Sequence, residues 1–236
     1  MAAVRHARAA GTAMSVDPFE ELRRQMVAVI AAQAVFSAGE TGKAAIAPRV
    51  LEAMAKLPRH DFVPAEVRPY AYADSPLPIG CNKTISQPFI VALMTDLLDL
   101  RPEDRVLEVG TGLGYQAAIL SALAQRVYSV EIIEELAQQA RQRLAEHRCK
   151  NVELRLGNGY YGWPEHAPFD RIIVTAGAEL VPPPLLQQLK PGGRMVIPTG
   201  LPDSQQLALV EKDAGGRVKI KQLLRVRFSL LEGEPA

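Results

Sequence analysis

From residue 105 onward the chain alternates short β-rich runs with helical stretches, and no other feature constrains its fold as tightly. RVLEVG (105–110) reads as a strand, YQAAILSALAQ (115–125) as a helix, VYSVE (127–131) as a strand and IEELAQQARQRLAEH (133–147) as a helix. VELRLG, FDRIIVTAG, PPLLQQLK and RMVIPTG continue the pattern. Such an order predicts an α/β protein with a doubly wound, mostly parallel sheet and helices on both faces. QLALVEK and RVKIKQLLRVRF flank the turn signal Asp213-Ala214-Gly215-Gly216, so the sheet is expected to close with an antiparallel hairpin.

At the first strand-to-helix junction stands Glu108-Val109-Gly110-Thr111-Gly112-Leu113-Gly114-Tyr115, where an α/β sheet holds a nucleotide-like ligand at its carboxyl edge. Glycines let the backbone turn sharply and a ligand approach it closely. The dinucleotide pattern G-x-G-x-x-G needs a third glycine where this chain has Tyr115, and no Gly-Lys-Ser/Thr follows as a phosphate-binding loop requires. The spacing suits a ligand with no pyrophosphate to cradle. Glu131 closes the second strand, where a carboxylate can accept hydrogen bonds from two ribose hydroxyls. By itself it fits equally well as a helix-capping acid. Gly157-Asn158-Gly159 sits at the carboxyl end of the third strand, where an amide can read an adenine edge, although Asn in a Gly-rich turn is also simply a good turn residue.

Upstream, Asp17-Pro18 followed by Glu20 and Glu21 marks a helix start, with apolar residues at helical spacing to about Phe36. The apolar run Met26 to Phe36 reads as the face of a buried helix, too short to span a bilayer. A second helix is expected from about Pro48 to Leu57 and a third from Pro88 to Leu100. Between them, five prolines (58, 64, 69, 76 and 78) favour an extended, folded-over connection, and an ordered connection of that length is usually functional. Residues 1–16 carry no apolar core of the ~7–15 residues a signal peptide needs and are expected to be a flexible tail, with 17–236 a single domain. Within it, 17–100 carries the N-terminal helices and active-site segment and 101–236 the α/β core.

The chain has 236 residues, 48% hydrophobic and 22% charged, with 27 basic and 26 acidic side chains giving a net charge of +1. That balance argues against disorder and against a protein living on nucleic-acid phosphates. Two cysteines, Cys81 and Cys149, make no disulfide framework, and no Cys or His pair has zinc-ligand spacing. The expectation is a reduced, cytoplasmic, metal-free protein that binds neither nucleic acid nor membrane.

LEVGTGLGYQAA, VYSVE, GNGYYGWPEHAPFDRIIVTAGA and LKPGGRMVIPTG resemble the successive motifs of the S-adenosylmethionine-dependent protein-L-isoaspartate O-methyltransferases. YADSPLPIGCNKTISQPFIVALMTDLL (72–98) resembles the segment that separates this family from other methyltransferases of the same Rossmann-like, class I fold. The resemblance covers about residues 20 to 233. It implies methyl transfer to the free α-carboxylate of L-isoaspartyl residues in damaged proteins, the ester then closing to a succinimide that hydrolyses partly to aspartate.

Carried over by position, Gly110, Thr111, Gly112 and Gly114 wrap the amino-acid and ribose portion of S-adenosylmethionine, with Glu108 in the same cofactor set. Glu131 takes the ribose hydroxyls, and Gly157 and Asn158 the adenine. Thr84, Ile85 and Ser86 match the active-site segment, with Ser86 catalytic, and Val174, Thr175 and Ala176 lie along the substrate peptide. Partners are then isoaspartyl proteins and peptides, and a monomer is expected. The alternatives are an enzyme for aspartate in one dedicated peptide and a non-catalytic cofactor-binding module.

The residue inventory suits this chemistry. A carboxylate of pKa ~4 is already ionised at neutral pH, so no general base is needed. An extended 84–86 segment puts the Thr84 and Ser86 hydroxyls on one face. Ser86 also fits as a cap for the helix after Gln87-Pro88. Three details depart from the pattern or invite a different role. Asn158 replaces the family's usual Asp, predicting altered rather than lost cofactor affinity. Arg227-Phe228-Ser229-Leu230-Leu231-Glu232-Gly233 lacks the usual Pro and Thr, which puts a substrate contact from Glu232 in doubt. Cys81 reads as a small buried filler. The N-terminal helices are candidates for a lid.

Overall fold

In the computed structural model residues 17–233 are described, and the expected tail over 1–16 lies outside them. Strands β3 (Arg105–Val109), β4 (Arg126–Glu131), β5 (Val152–Leu156), β6 (Phe169–Val174), β7 (Leu189–Thr199), β8 (Gln206–Lys212) and β9 (Val218–Arg225) form one sheet in the order β5-β4-β3-β6-β7-β8-β9. The first five pair in parallel, and β8 and β9 add antiparallel at one edge. The doubly wound sheet with its closing hairpin is therefore present as expected. The chain order reverses between β3 and β6, which opens a crevice at their carboxyl ends.

Successive strand residues face opposite layers. Val106, Val127, Ile173 and Val196 enter one apolar cluster, and Leu107, Tyr128, Ile172 and Met195 the other. The layers are unequal. One carries α1 (Glu20–Phe36), α3 (Pro48–Lys56), α4 (Pro88–Leu97), α5 (Tyr115–Ser121) and α6 (Glu134–Glu146), whereas the other is covered by α7 (Pro183–Gln188) and 3₁₀ turns at Gly159–Tyr161 and Pro164–His166. Complete burial of a side chain such as Phe62, Phe169 or Leu107 contributes roughly 1.5–3 kcal/mol.

Several boundaries move for visible reasons. Helix α1 starts at Glu20 because the Asp17 carboxylate accepts the Phe19 amide (2.9 Å) and its carbonyl the Glu20 amide (3.1 Å), which spends Asp17-Pro18 on the preceding turn. Helix α5 stops at Ser121, and the Asn151 side-chain amide donates to the carbonyls of Ser121 (2.9 Å) and Ala124 (3.0 Å). Only Met26, Ile30 and Ala34 of the apolar run in α1 are buried; Val35 and Phe36 are exposed, because a contiguous run circles a helix instead of following one face.

The proline-rich connection holds more structure than expected. It contains 3₁₀ turns at Arg59–Phe62 and Ala65–Tyr70 and a small antiparallel hairpin of β1 (Leu77–Gly80) and β2 (Lys83–Ile85). Cys81 and Asn82 form its turn with φ of 50° and 55°, so Cys81 is exposed and is not the buried filler expected. A short helix α2 (Ala38–Thr41) follows α1. The salt bridge from Lys43 to the buried Asp96 (2.6 Å) ties the loop after α2 to α4.

Candidate active site

A cavity of about 870 Å³ opens at the carboxyl edge of the sheet. Its floor is the loop after β3. Gly110, Gly112 and Gly114 have φ of 93°, 55° and 95°, left-handed values that side chains with a Cβ rarely adopt. The loop is pinned from outside itself: the Gly112 amide donates to Glu131 Oε2 (2.8 Å) and the Gly110 amide to the Val130 carbonyl (2.9 Å). Glu131 Oε1 accepts the amides of Ile132 and Ile133 (both 3.0 Å). Glu131 thus caps its own turn, as one reading had it, and also lines the cavity, as the other required.

Of the residues singled out from the sequence, Thr84, Ile85, Ser86, Gly110, Thr111, Gly112, Glu131, Thr175 and Ala176 line this cavity. Glu108, Gly114, Val174, Gly157 and Asn158 do not, each for a local reason. A Cβ on Gly114 would meet Leu144 Cγ at 3.2 Å, so this glycine serves the packing of α5 against α6. Val174 is fully buried in the second apolar cluster. The Gly157 amide is spent on the Glu131 carbonyl (2.8 Å). Asn158 is used at both ends, its Oδ1 accepting the Tyr160 amide (2.9 Å) and its Nδ2 donating to the Gly233 carbonyl (2.8 Å).

Glu108 lies beneath the loop with no exposure. Its Oε2 accepts from the Ser129 hydroxyl, which lies 2.5 Å from the Thr111 hydroxyl, and its Oε1 has no partner among the described residues. Burial pushes its carboxyl up to about 8; the Ser129 bond works against this and the Glu131 charge adds to it. Thr175 is likewise partly structural, its hydroxyl donating to the carbonyls of Gly110 (2.5 Å) and Val109 (3.1 Å).

On the opposite wall, β2 carries Thr84 exposed and Ile85 buried, with Ser86 half-buried beyond it. All three residues line the cavity. Ser86 does not cap α4. That task falls to Asp74, whose Oδ1 accepts the Phe89 amide at 3.0 Å. The Ser86 side chain is left without a hydrogen bond among the described residues, while its carbonyl accepts from Arg59 Nη2 at 2.6 Å.

The sequence reading named the N-terminal helices as a lid without saying which of their residues reach the site. Gln33, Phe36 and Glu40 of α1 and α2 reach the cavity, and so does the segment after β9. This segment is threaded along the sheet by hydrogen bonds from the Gly177 amide to the Ser229 carbonyl and from the Leu231 amide to the Gly177 carbonyl (both 2.8 Å). Glu232, whose contact was in doubt, lines the cavity and pairs with Lys83 at 2.6 Å. Gly159, singled out with Gly157 and Asn158 but given no role of its own, lines the cavity, and a Cβ there would collide with Val109.

Among the described residues no helix is long and apolar enough to cross a membrane, and no group of three or more His, Cys, Asp or Glu is placed to hold a metal ion. The family model described as Protein-L-isoaspartate(D-aspartate) O-methyltransferase matches residues 31–234. The chain is 64% identical over 222 residues to protein-L-isoaspartate O-methyltransferase 1 of Polaromonas sp., covering 94% of each. It is 56% identical over 228 residues to protein-L-isoaspartate O-methyltransferase 2 of Syntrophobacter fumaroxidans, covering 95% of this chain and 92% of that one.

A solved protein-L-isoaspartate O-methyltransferase superposes with a TM-score of 0.78 at 29% identity over 89% of this chain and 66% of its own. A Plasmodium falciparum structure solved with S-adenosyl-L-homocysteine superposes at 0.74 and 21% identity, over 93% of this chain and all of that one, a likeness of fold. By sequence, fold and site architecture, the chain belongs to the protein-L-isoaspartate(D-aspartate) O-methyltransferase family, with the Rossmann-like fold of class I methyltransferases.

Proposed function

We propose that this protein transfers a methyl group from S-adenosylmethionine to the free α-carboxylate of L-isoaspartyl residues in damaged proteins and peptides. The observation that carries the reading is the meeting of two sets of groups in one cavity: the glycine loop with Glu131, and the hydroxyls of Thr84 and Ser86. The loop fits the cofactor on steric grounds. Gly112 is already tight, since a Cβ there would meet Ile79 Cδ1 at 3.2 Å inside the cavity wall, so the backbone itself is the contact surface. In this reading Gly110, Thr111 and Gly112 hold the amino-acid and ribose portions and Glu131 the ribose hydroxyls. Glu131 Oε2 has one protein donor, Gly112, and so retains acceptor capacity.

S-adenosylmethionine supplies a methyl group activated by its sulfonium. The chain's task is then positional. The substrate carboxylate arrives ionised, so Ser86 and Thr84 act as hydrogen-bond donors that fix its attacking oxygen, and no residue has to remove a proton. Because donation also withdraws charge from the nucleophile, few donors are wanted, and two hydroxyls without a cationic partner in contact fit that need. The proposal extends to a monomer in a reducing, cytoplasmic setting, with which the free thiols of Cys81 and Cys149 agree.

The test is methyl transfer from labelled S-adenosylmethionine to matched isoaspartyl and aspartyl peptides. Base-labile label on the isoaspartyl peptide alone is expected, with kcat/KM falling about 100-fold in Ser86→Ala at unchanged S-adenosylhomocysteine affinity. Label on the aspartyl peptide, or on neither, overturns the reading.

A further inference from the structure

Behind the Ser86 wall stands a charge that the scheme above does not use. Arg59 opens the 3₁₀ turn Arg59–Phe62 and has no exposed surface. Its Nε donates to the Ala71 carbonyl (2.8 Å) and its Nη2 to the Ser86 carbonyl (2.6 Å), while Nη1 has no partner among the described residues. Its guanidinium carbon lies 5.0 Å from the centre of the Tyr115 ring. Ser86 and Tyr115 both line the cavity, so Arg59 backs the cavity wall at two points.

A fully buried cation is costly unless something compensates its charge. Among the described residues no carboxylate pairs with Arg59. Asp74, whose charge reaches Arg59 and offsets part of it, does not pair with it: its Oδ1 accepts the Phe89 amide and its Oδ2 the side-chain amides of Gln87 (2.8 Å) and Gln33. Burial lowers the guanidinium to about 10, which still leaves it charged at neutral pH. The positive charge is therefore permanent, dry and one residue's thickness from the hydroxyl that meets the substrate.

We propose that Arg59 is a positioning residue whose buried charge, held in no ion pair among the described residues, acts through the Ser86 segment to draw the substrate α-carboxylate into the cavity and to let the methyl ester go. The inference rests on the isoaspartyl reading. Attraction between Arg59 and the ligand is greatest while the carboxylate carries its full negative charge, and it weakens as the oxygen bonds to the incoming methyl and becomes a neutral ester. Arg59 therefore stabilises bound substrate more than the transition state, so its effect falls on KM and not on kcat. The same loss of charge removes the hold on the product.

The experiment compares wild type, Arg59→Gln and Arg59→Lys in steady-state methylation of an isoaspartyl peptide. It adds the affinity, with S-adenosylhomocysteine bound, for that peptide and for its α-carboxamide analogue. Wild type is expected to favour carboxylate over carboxamide at least tenfold. Arg59→Gln is expected to raise KM about tenfold with kcat unchanged or higher and to shrink the preference to about twofold, while Arg59→Lys recovers most of both. S-adenosylhomocysteine affinity is expected to stay within twofold in all three.

A fall in kcat with KM unchanged, a parallel loss of S-adenosylhomocysteine affinity or no rescue by Lys would make Arg59 a mere support and overturn the proposal. Should the variants not fold, equal affinity of wild type for carboxylate and carboxamide overturns it alone. A wild type that methylates the isoaspartyl peptide but shows no Arg59 effect sinks this inference and spares the activity; a wild type that fails to methylate it sinks the activity itself.

Discussion

The two walls of the cavity are built in opposite ways. The wall at the carboxyl edge of the sheet is made of consecutive strand-loop units, so residues 109–113, 130–132 and Gly159 meet because neighbouring parallel strands end side by side. The opposite wall is gathered from α1, the β1–β2 hairpin and the segment after β9, and the Lys83–Glu232 pair joins residues 149 positions apart. A wall of local units has its geometry set by the sheet. A gathered wall has its geometry set by a few long-range contacts, several of them on the surface.

The sharpest way to probe the local wall is to compare its glycines. Gly110→Ala places a Cβ 2.5 Å from Thr175 Oγ1 at a φ of 93°. It is expected to cost about 2–3 kcal/mol of stability and to weaken S-adenosylhomocysteine binding at least tenfold, read by chemical denaturation and calorimetry. Gly114→Ala, facing Leu144 and Ala140, is expected to cost about 1–2 kcal/mol while leaving that affinity within threefold. Equal effects on binding would erase the distinction between a glycine facing ligand and one facing a helix.

A smaller effect, dependent on pH, is expected beneath the same loop. Glu108 has its carboxyl raised in the folded state, chiefly by burial, to about 8 from an ordinary 4.5. The folded protein thus holds this proton more tightly than the unfolded chain. Its contribution to stability is full below about pH 4.5, declines as pH rises and is gone above about pH 8. Glu108→Gln stays neutral and is expected to gain on the order of 1–3 kcal/mol over wild type at pH 8, and less at pH 5, in urea midpoints at the two values. A variant whose advantage grows toward acid would reverse the sign and refute the burial of an uncharged acid.

The smallest changes in stability are expected at the ties that hold the gathered wall in place. Asn158→Asp replaces the donor to the Gly233 carbonyl by a carboxylate facing that oxygen. Lys83→Met removes a half-exposed ion pair. Each is expected to cost no more than about 1 kcal/mol, yet to speed amide exchange of residues 226–233 severalfold while leaving the amides of β3 and β4 unchanged. Protection lost equally in both regions would show that the two walls open as one.

The sequence was legible where the structure is local. The alternation after residue 105 held element by element, because periodicity and glycine placement are properties of short windows. Thr84, Ile85 and Ser86 came from the family resemblance and not from periodicity, since nothing in a lone tripeptide says that it borders a cavity. Asn158 shows the limit. Its window showed a good turn residue, but nothing there disclosed that Nδ2 would be used by Gly233, 75 positions away. Phe36 and Arg59 were opaque in the same way. An apolar residue at the end of a helix and an arginine after a proline look ordinary until the fold puts one at a cavity rim and the other in a dry interior.

The gathered wall also bears on the order in which the molecule assembles. Closing a loop becomes entropically dearer, though slowly, with its length, so contacts between distant residues tend to form late. The strand-loop units can reach native geometry with neighbours alone, whereas Glu232 can meet Lys83, and Leu231 can meet Gly177, only once β7, β8 and β9 are in place. Refolding should therefore pass through a stage able to grip the cofactor but unable to enclose a peptide, with activity returning after binding does.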